Sequence, residues 1–339
     1  MSLSVGIIGL PNVGKSTLFN AIMGKQQALT APYPFATVKP NVGVVDVPDE
    51  RLIKLKEAMI KSGRSDIVNK TPVVYSSITF VDIAGLVKGA AEGHGLGNQF
   101  LSNIRDVDVI LHVVRDFDPP AGGPDVPRHE DSKDPENDIK IIETELELKD
   151  LELKEANEKY EDYLSKKPVI YAINIAENNV SKEGSIPIFS GVARQTQDNS
   201  QVDNQSLLND HPIKSSISNL NSELTDDQFP GKKVSSPSSD GAMYFCARLE
   251  EEISRLPKKE QKDYLAMYDL AESGLDRIIK ECYKLLGLIS FLTVGKIEVR
   301  AWSLKKGSPA PVAAGVIHSD FEKLLIRAEI IGWEKMIEA

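Results

Sequence analysis

The residues with the clearest chemistry are Gly9-Leu10-Pro11-Asn12-Val13-Gly14-Lys15-Ser16-Thr17, a complete G-x-x-x-x-G-K-S phosphate loop. Gly9 and Gly14 allow the backbone to curl around an anion with its N–H groups pointing inward. Lys15 suits the β- and γ-phosphates of a nucleotide, and the Ser16 hydroxyl suits Mg²⁺. Asn12, Val13, Gly14 and Thr17 complete the expected nucleotide-binding set. Two further sites follow in chain order. Thr37, in Tyr33-Pro34-Phe35-Ala36-Thr37, sits where a loop threonine gives Mg²⁺ a second oxygen. Asp82-Ile83-Ala84-Gly85 ends an apolar run; Asp82 is expected to hold Mg²⁺ through water, and the Gly85 N–H to bond the γ-phosphate.

Two positions depart from the usual GTPase pattern. Leu86 stands where many GTPases carry a glutamine that orients the attacking water, and leucine forms no hydrogen bond. Asn174-Ile175-Ala176-Glu177 stands where they carry N-K-x-D. Glu177 is one methylene longer than the aspartate that pairs with guanine, and Ile175 replaces the lysine that covers the ring. A guanine left without its bidentate partner is rejected. Asn174 suits adenine N6 and N7, and the Ile175 N–H suits N1, so adenine is preferred. Two segments could close the base site, 186–191 and 243–248. The helix expected after the second favours it and brings in Cys246 and Ala247.

These residues need a frame. Leu3-Ser4-Val5-Gly6-Ile7-Ile8 reads as a buried strand, and Leu18 to Met23 as a helix. Further strands are expected at 41–46, 77–81, 107–114, 168–173 and 243–248. Asp49 is expected to cap a helix reaching about Ile60. His112 falls in a buried run and reads as a core histidine. The leucine-rich, charged stretch 139–164 reads as a long exposed helix, and 258–286 as helical throughout. Residues 178–241 are rich in Ser, Asn, Asp and Gln and read as a weakly ordered insert. The last fifty residues change style, with a strand at 298–304. Lys296, Arg300, Lys305, Lys306, Lys323 and Arg327 make that tail locally basic, a possible RNA contact.

The chain has 339 residues, enough for about two domains. Its net charge of −10 disfavours bulk attraction to nucleic acid, so any such contact must be a local patch, and no DNA specificity is expected. Cys246 and Cys282 form no ligand cluster and fit a reducing compartment. No apolar run reaches the ~18 residues of a membrane span. The first strand starts almost at Met1, with no room for a leader, so a cytoplasmic location is expected.

With the phosphate loop, Pro34-Phe35-Ala36-Thr37, Asp82 to Ala90 and Gly95-Leu96-Gly97-Asn98-Gln99-Phe100-Leu101 in view, the chain resembles the YchF-type, Obg-like ATPases. Asn174-Ile175-Ala176-Glu177 is similar to that family's N-x-x-E. Val299-Arg300-Ala301-Trp302 and Ala313 to Lys323 are similar to the start of its C-terminal TGS domain. The resemblance implies an α/β P-loop NTPase with a mostly parallel sheet, preferring ATP, requiring Mg²⁺, and binding ribosomes or ribosomal RNA. It implies a hydrophobic residue in place of the glutamine, here Leu86. It also implies a loop histidine ahead of an Asp/Asn-Pro pair; His129, before Asp134-Pro135, is the nearest match and joins Lys15 and Gly85 as a catalytic expectation. With that resemblance the expected domains are an NTPase domain at 1–177 and 243–286 and a partial TGS domain at 287–339; two segments depart from the family pattern, a shortened arm of one helical run at 136–167 where the family has an antiparallel two-helix arm, and an insert at 178–242. Three activities fit: a slow ATPase switch, a GTPase of the same fold, and a nucleotide-sensing scaffold without turnover.

Overall fold

Uninterrupted apolar strands are stable only when both faces are covered, which favours a parallel sheet between helical layers. A computed structural model describes residues 3–25, 41–64, 71–83, 103–118, 128, 132, 134–155, 163–180, 242–295 and 297–338. Among them, six strands form one sheet: β1 (Ser4–Ile8), β2 (Asn41–Asp46), β4 (Ser77–Asp82), β5 (Val109–Asp116), β6 (Val169–Ile175) and β7 (Ala242–Phe245). Their spatial order is β2-β4-β1-β5-β6-β7. All neighbours run parallel except β2, which lies antiparallel at the edge beside β4. β1 is buried along its whole length. The register aligns Ile7 with Asp82, Ile8 with His112 and Asn174 with Phe245. The carboxyl ends of the five parallel strands, where α/β sheets bind ligands, therefore share one edge.

Helix α1 (Lys15–Gly24) follows β1 directly. Helix α2 (Glu50–Met59) starts at the expected cap, with the Asp49 carboxylate accepting from the Arg51 N–H. Helix α3 (Pro135–Glu155) starts four residues before the expected 139 and is not simply exposed. Ile142 and Leu146 are buried in the main core, while Leu148 and Leu151 face out. Residues 156–162, which follow α3 within the expected 136–167 arm, lie outside the described residues. Asp150 ties α3 to the stretch that comes after them. Its carboxylate accepts from the backbone N–H groups of Leu164 at 2.6 Å and Ser165 at 2.9 Å. Asp150→Ala leaves two donors without a partner, so a loss of about 2 kcal/mol in urea unfolding is expected, with unchanged nucleotide affinity.

The stretch 258–286 is two helices, not one. Helix α4 (Ala247–Arg255) leads into α5 (Lys258–Ala266), and α6 (Gly274–Leu285) follows a break. Asp269 in the break has φ +54°, which a continuous helix excludes. Ser273 caps α6 by accepting from the Asp276 N–H. The buried Glu250 carboxylate on α4 accepts from the Gly274 N–H at 2.7 Å, and Lys25 bonds Ser273 and Asp276. The Ser273 cap and these bonds between separate elements outweigh the helical propensity of the intervening residues.

A second sheet combines β8 (Leu288–Val294), β9 (Val299–Lys305) and the short β3 (Val73–Val74), in the order β3-β9-β8. β9 is the strand expected at 298–304, and β8 is an additional strand beside it. Leu52 of α2 is buried with Val299 and Ala301 of β9. Beyond this hairpin, α7 (Ala310–Ile317), α8 (Ser319–Leu324) and α9 (Trp333–Glu338) bury no residue. In the expected basic patch, Lys305, Lys306 and Lys323 are exposed. Arg300 instead lies 4.0 Å from the Trp302 ring and pairs with Glu298, and Arg327 pairs with Glu329. No described helix is long and apolar enough to cross a membrane.

Candidate functional site: a nucleoside triphosphate site

The phosphate end is built by β1 and α1. Gly9 has φ +151°, and a Cβ there would lie 2.4 Å from the Val113 carbonyl oxygen. Asn12 has φ +63°, a left-handed conformation that asparagine tolerates. Gly14, at φ +100°, precedes α1 with no side chain capping the helix start. Gly14 thus offers the first-turn amides no side-chain acceptor, and with the helix dipole they favour an anion.

Lys15 is buried at this helix start. Its ammonium donates to the carbonyl oxygens of Gly9 at 2.8 Å and Leu10 at 2.7 Å. Burial lowers its pKa to about 8, opposed by the negative charge of Asp82. Ser16 is exposed and Thr17 half-buried on the same turn. Asp82 is half-buried at the end of β4, in register with Ile7. The hydroxyl of Ser16 and the carboxylate of Asp82 are hard oxygen donors, suited to Mg²⁺, which binds through few protein ligands plus water and phosphate. Among the described residues no cluster of three His, Cys, Asp or Glu could hold a metal by itself. Thr37, Gly85, Leu86 and His129 lie outside the described residues.

His112 is buried beneath this end, as its run suggested, but its Nε2 has no hydrogen-bond partner among the described residues. Burial, and secondarily the Lys15 charge, lowers its pKa to about 3, so the ring is neutral. It packs against the Tyr171 ring at 5.6 Å.

The other end forms around Asn174, which the sequence offered only as a base contact. Its Nδ2 donates to the Val13 carbonyl at 3.0 Å, and its Oδ1 accepts from the Ala247 N–H at 2.9 Å. One buried amide therefore joins the phosphate loop to the β7–α4 turn. A side-chain amide has two N–H groups and two acceptor lone pairs, so, counting the hydrogen bonds of the described residues, one of each remains. The structure thus joins Val13, Gly14, Asn174 and Ala247 at one place. Ile175 buries its side chain with Val114, Ile173 and Tyr244, so any donor there is its backbone. Cys246 packs with Leu249, Ile253 and Leu265, and burial raises its thiol pKa. Glu177 is half-buried and accepts from the Tyr268 hydroxyl at 2.8 Å. Nothing in the sequence pointed to Tyr268, which lies in the stretch read as continuous helix.

A phosphate loop between a buried parallel strand and its helix, an aspartate at the end of the adjacent strand β4 and an asparagine tied to both loops define a P-loop NTPase of the GTPase type. Residues 4–175 match the family model described as 50S ribosome-binding GTPase, and residues 288–339 match the YchF C-terminal model, described as a protein of unknown function. The chain is 41% identical over 347 residues to the protein named ribosome-binding ATPase YchF of Bacillus subtilis (strain 168), covering 99% of this chain and 90% of that one. It is also 41% identical to the protein of that name in Mycoplasma genitalium, over 98% of this chain and 90% of that one. The solved Schizosaccharomyces pombe YchF GTPase superposes with a TM-score of 0.67 at 30% identity, over 99% of this chain and 89% of that one. The chain belongs to the YchF family.

Proposed function

We propose that this protein is a slow, Mg²⁺-dependent ATPase that binds ribosomes and acts there as a nucleotide switch in the cytoplasm. The observation that carries the proposal is the Asn174 bridge from Val13 to Ala247, which ties the phosphate loop to the β7–α4 turn and supports reading the two as one site. Ribosome binding and ATP as substrate are supported by the names of the relatives in Bacillus subtilis and Mycoplasma genitalium. Exposed Lys305, Lys306 and Lys323 provide positive charge for an RNA contact.

In this reading the α1 amides and Lys15 receive the phosphates, and Lys15 exchanges two carbonyl partners for phosphate oxygens. Ser16, Thr37 and, through water, Asp82 would hold Mg²⁺, which would offset charge on the β- and γ-phosphates. The adenine meets Asn174, the Ile175 backbone, Glu177 and the 246–247 turn. Leu86 cannot orient water, so the Gly85 backbone positions it and His129 assists the proton transfer. Turnover far below one per second follows, since even glutamine-bearing GTPases without an activator run at about 10⁻⁴–10⁻³ per second. The domain division at 177, 243 and 287 accompanies this reading, with 136–167 a shortened arm, 178–242 an insert and 287–339 a partial TGS domain.

The test is displacement of a labelled nucleotide by ATP and by GTP. ATP is expected to bind at least about tenfold tighter, the order of one unmatched buried polar pair. Equal or tighter GTP binding would overturn the adenine assignment in favour of a GTPase of the same fold. Tight ATP binding with phosphate release no higher than that of a Lys15→Ala control would favour a scaffold without turnover.

A further inference from the structure

We propose that Tyr268 sets the purine preference of this site by engaging one oxygen of the Glu177 carboxylate. The inference rests on the reading of Glu177 as the base-facing acid. The bond is direct, from the Tyr268 hydroxyl to Glu177 Oε1 at 2.8 Å. No hydrogen bond to Oε2 is present among the described residues.

The tyrosine is itself held in place. Its ring lies 5.6 Å from that of Tyr264, whose hydroxyl donates to Glu252 of α4 at 2.8 Å. Both rings pack against the cluster of Cys246, Leu249, Ile253 and Leu265. That cluster carries the 246–247 turn whose amide bonds Asn174. Tyr268, Glu177, Asn174 and the phosphate loop thus form a connected set of contacts.

The chemistry then discriminates between purines. Guanine presents two N–H donors side by side, from N1 and N2, and is best matched by a carboxylate offering both oxygens. Adenine presents one donor group, N6, beside the N1 acceptor. A carboxylate oxygen that already accepts from a phenol is a poorer acceptor for a second donor. Rotating the carboxylate to present both oxygens to one edge would break the phenol bond. Glu177 held in this way serves one N–H well and two poorly. Tyr268 is therefore a positioning residue, acting on the base only through Glu177.

The experiment compares ATP and GTP dissociation constants in the full-length protein and in Tyr268→Phe, Glu177→Ala and Met267→Ala. Met267 is 73% exposed and serves as the neighbouring control. The expected result is a fall of about tenfold in ATP-over-GTP discrimination for Tyr268→Phe, mainly through tighter GTP binding, and no change for Met267→Ala. A purely structural role would weaken both nucleotides equally and leave the ratio alone. If Tyr268→Phe lowers the melting temperature, Tyr268→Leu provides a second variant without the hydroxyl. Discrimination within about twofold of the unmodified protein in both Tyr268 variants, with Glu177→Ala reducing it, would overturn the inference and leave the Glu177 assignment standing. Absence of discrimination in the unmodified protein, or no effect of Glu177→Ala, would overturn the Glu177 reading and this inference with it.

Discussion

Lys15→Ala is expected to weaken ATP binding by about a hundredfold or more and to reduce phosphate release to background, since truncating one partner of a buried charge pair costs about 2–5 kcal/mol. In the proposed function, the buried ammonium now held by the Gly9 and Leu10 carbonyls is the charge that meets the triphosphate. The same group gives the site a pH dependence. In the nucleotide-free protein its pKa is about 8, lowered from 10.5 by burial. Triphosphate oxygens favour the ammonium, so binding above pH 8 requires proton uptake. ATP affinity is expected to be flat below about pH 7 and to fall by up to about tenfold per unit above pH 8. Calorimetry in two buffers of different ionisation enthalpy reads the proton uptake directly. Stability moves oppositely. Between pH 8 and 10.5 the folded protein holds fewer protons than the unfolded chain. The cost of burying the ammonium is therefore present in full below that window and disappears as pH rises through it, so the nucleotide-free protein gains stability there. Equal proton uptake by Lys15→Ala would remove Lys15 as its source.

Gly14→Ala is the second large effect. A Cβ at this residue, where φ is +100°, would lie 2.3 Å from Asn174 Nδ2 and 3.5 Å from the Ala247 Cβ. Asn174 must move, and its links to Val13 and Ala247 are lost together. A stability loss of about 2–4 kcal/mol is expected from strain and broken buried hydrogen bonds, with ATP affinity down about a hundredfold. Gly307→Ala separates the two contributions. Gly307 also has a positive φ, +86°, but a Cβ there meets nothing within 4 Å. It should lose about 1 kcal/mol in urea unfolding and keep its ATP affinity.

The phosphate end was legible because its determinants are local. A strand, nine residues and a helix start form one unit, and Gly9, Gly14 and Lys15 have the conformations and burial that the motif requires. The parallel strands were legible because continuous apolar runs mark two-sided burial. Long-range contacts were not legible. Asn174 bonds residues 161 and 73 positions away, and Tyr268 reaches Glu177 across 91. No spacing rule in one sequence reports such pairs. The break before α6 depends on Glu250 accepting from Gly274, again a contact between separate elements. Strand β8 is an apolar run whose antiparallel partner is β9, with β3 extending the sheet from far upstream. For α3, the leucine pattern gave a helix, but which turns would be covered depended on the sheet beneath Ile142 and Leu146.

The most direct measurement is a crystal structure with Mg²⁺ and a non-hydrolysable ATP analogue. The expected result is the β-phosphate over Lys15, with its ammonium released from the Gly9 and Leu10 carbonyls, and the adenine between Asn174 and Glu177. Phosphates seated over Lys15 with the base lying away from Asn174 and Glu177 would contradict the proposed purine site.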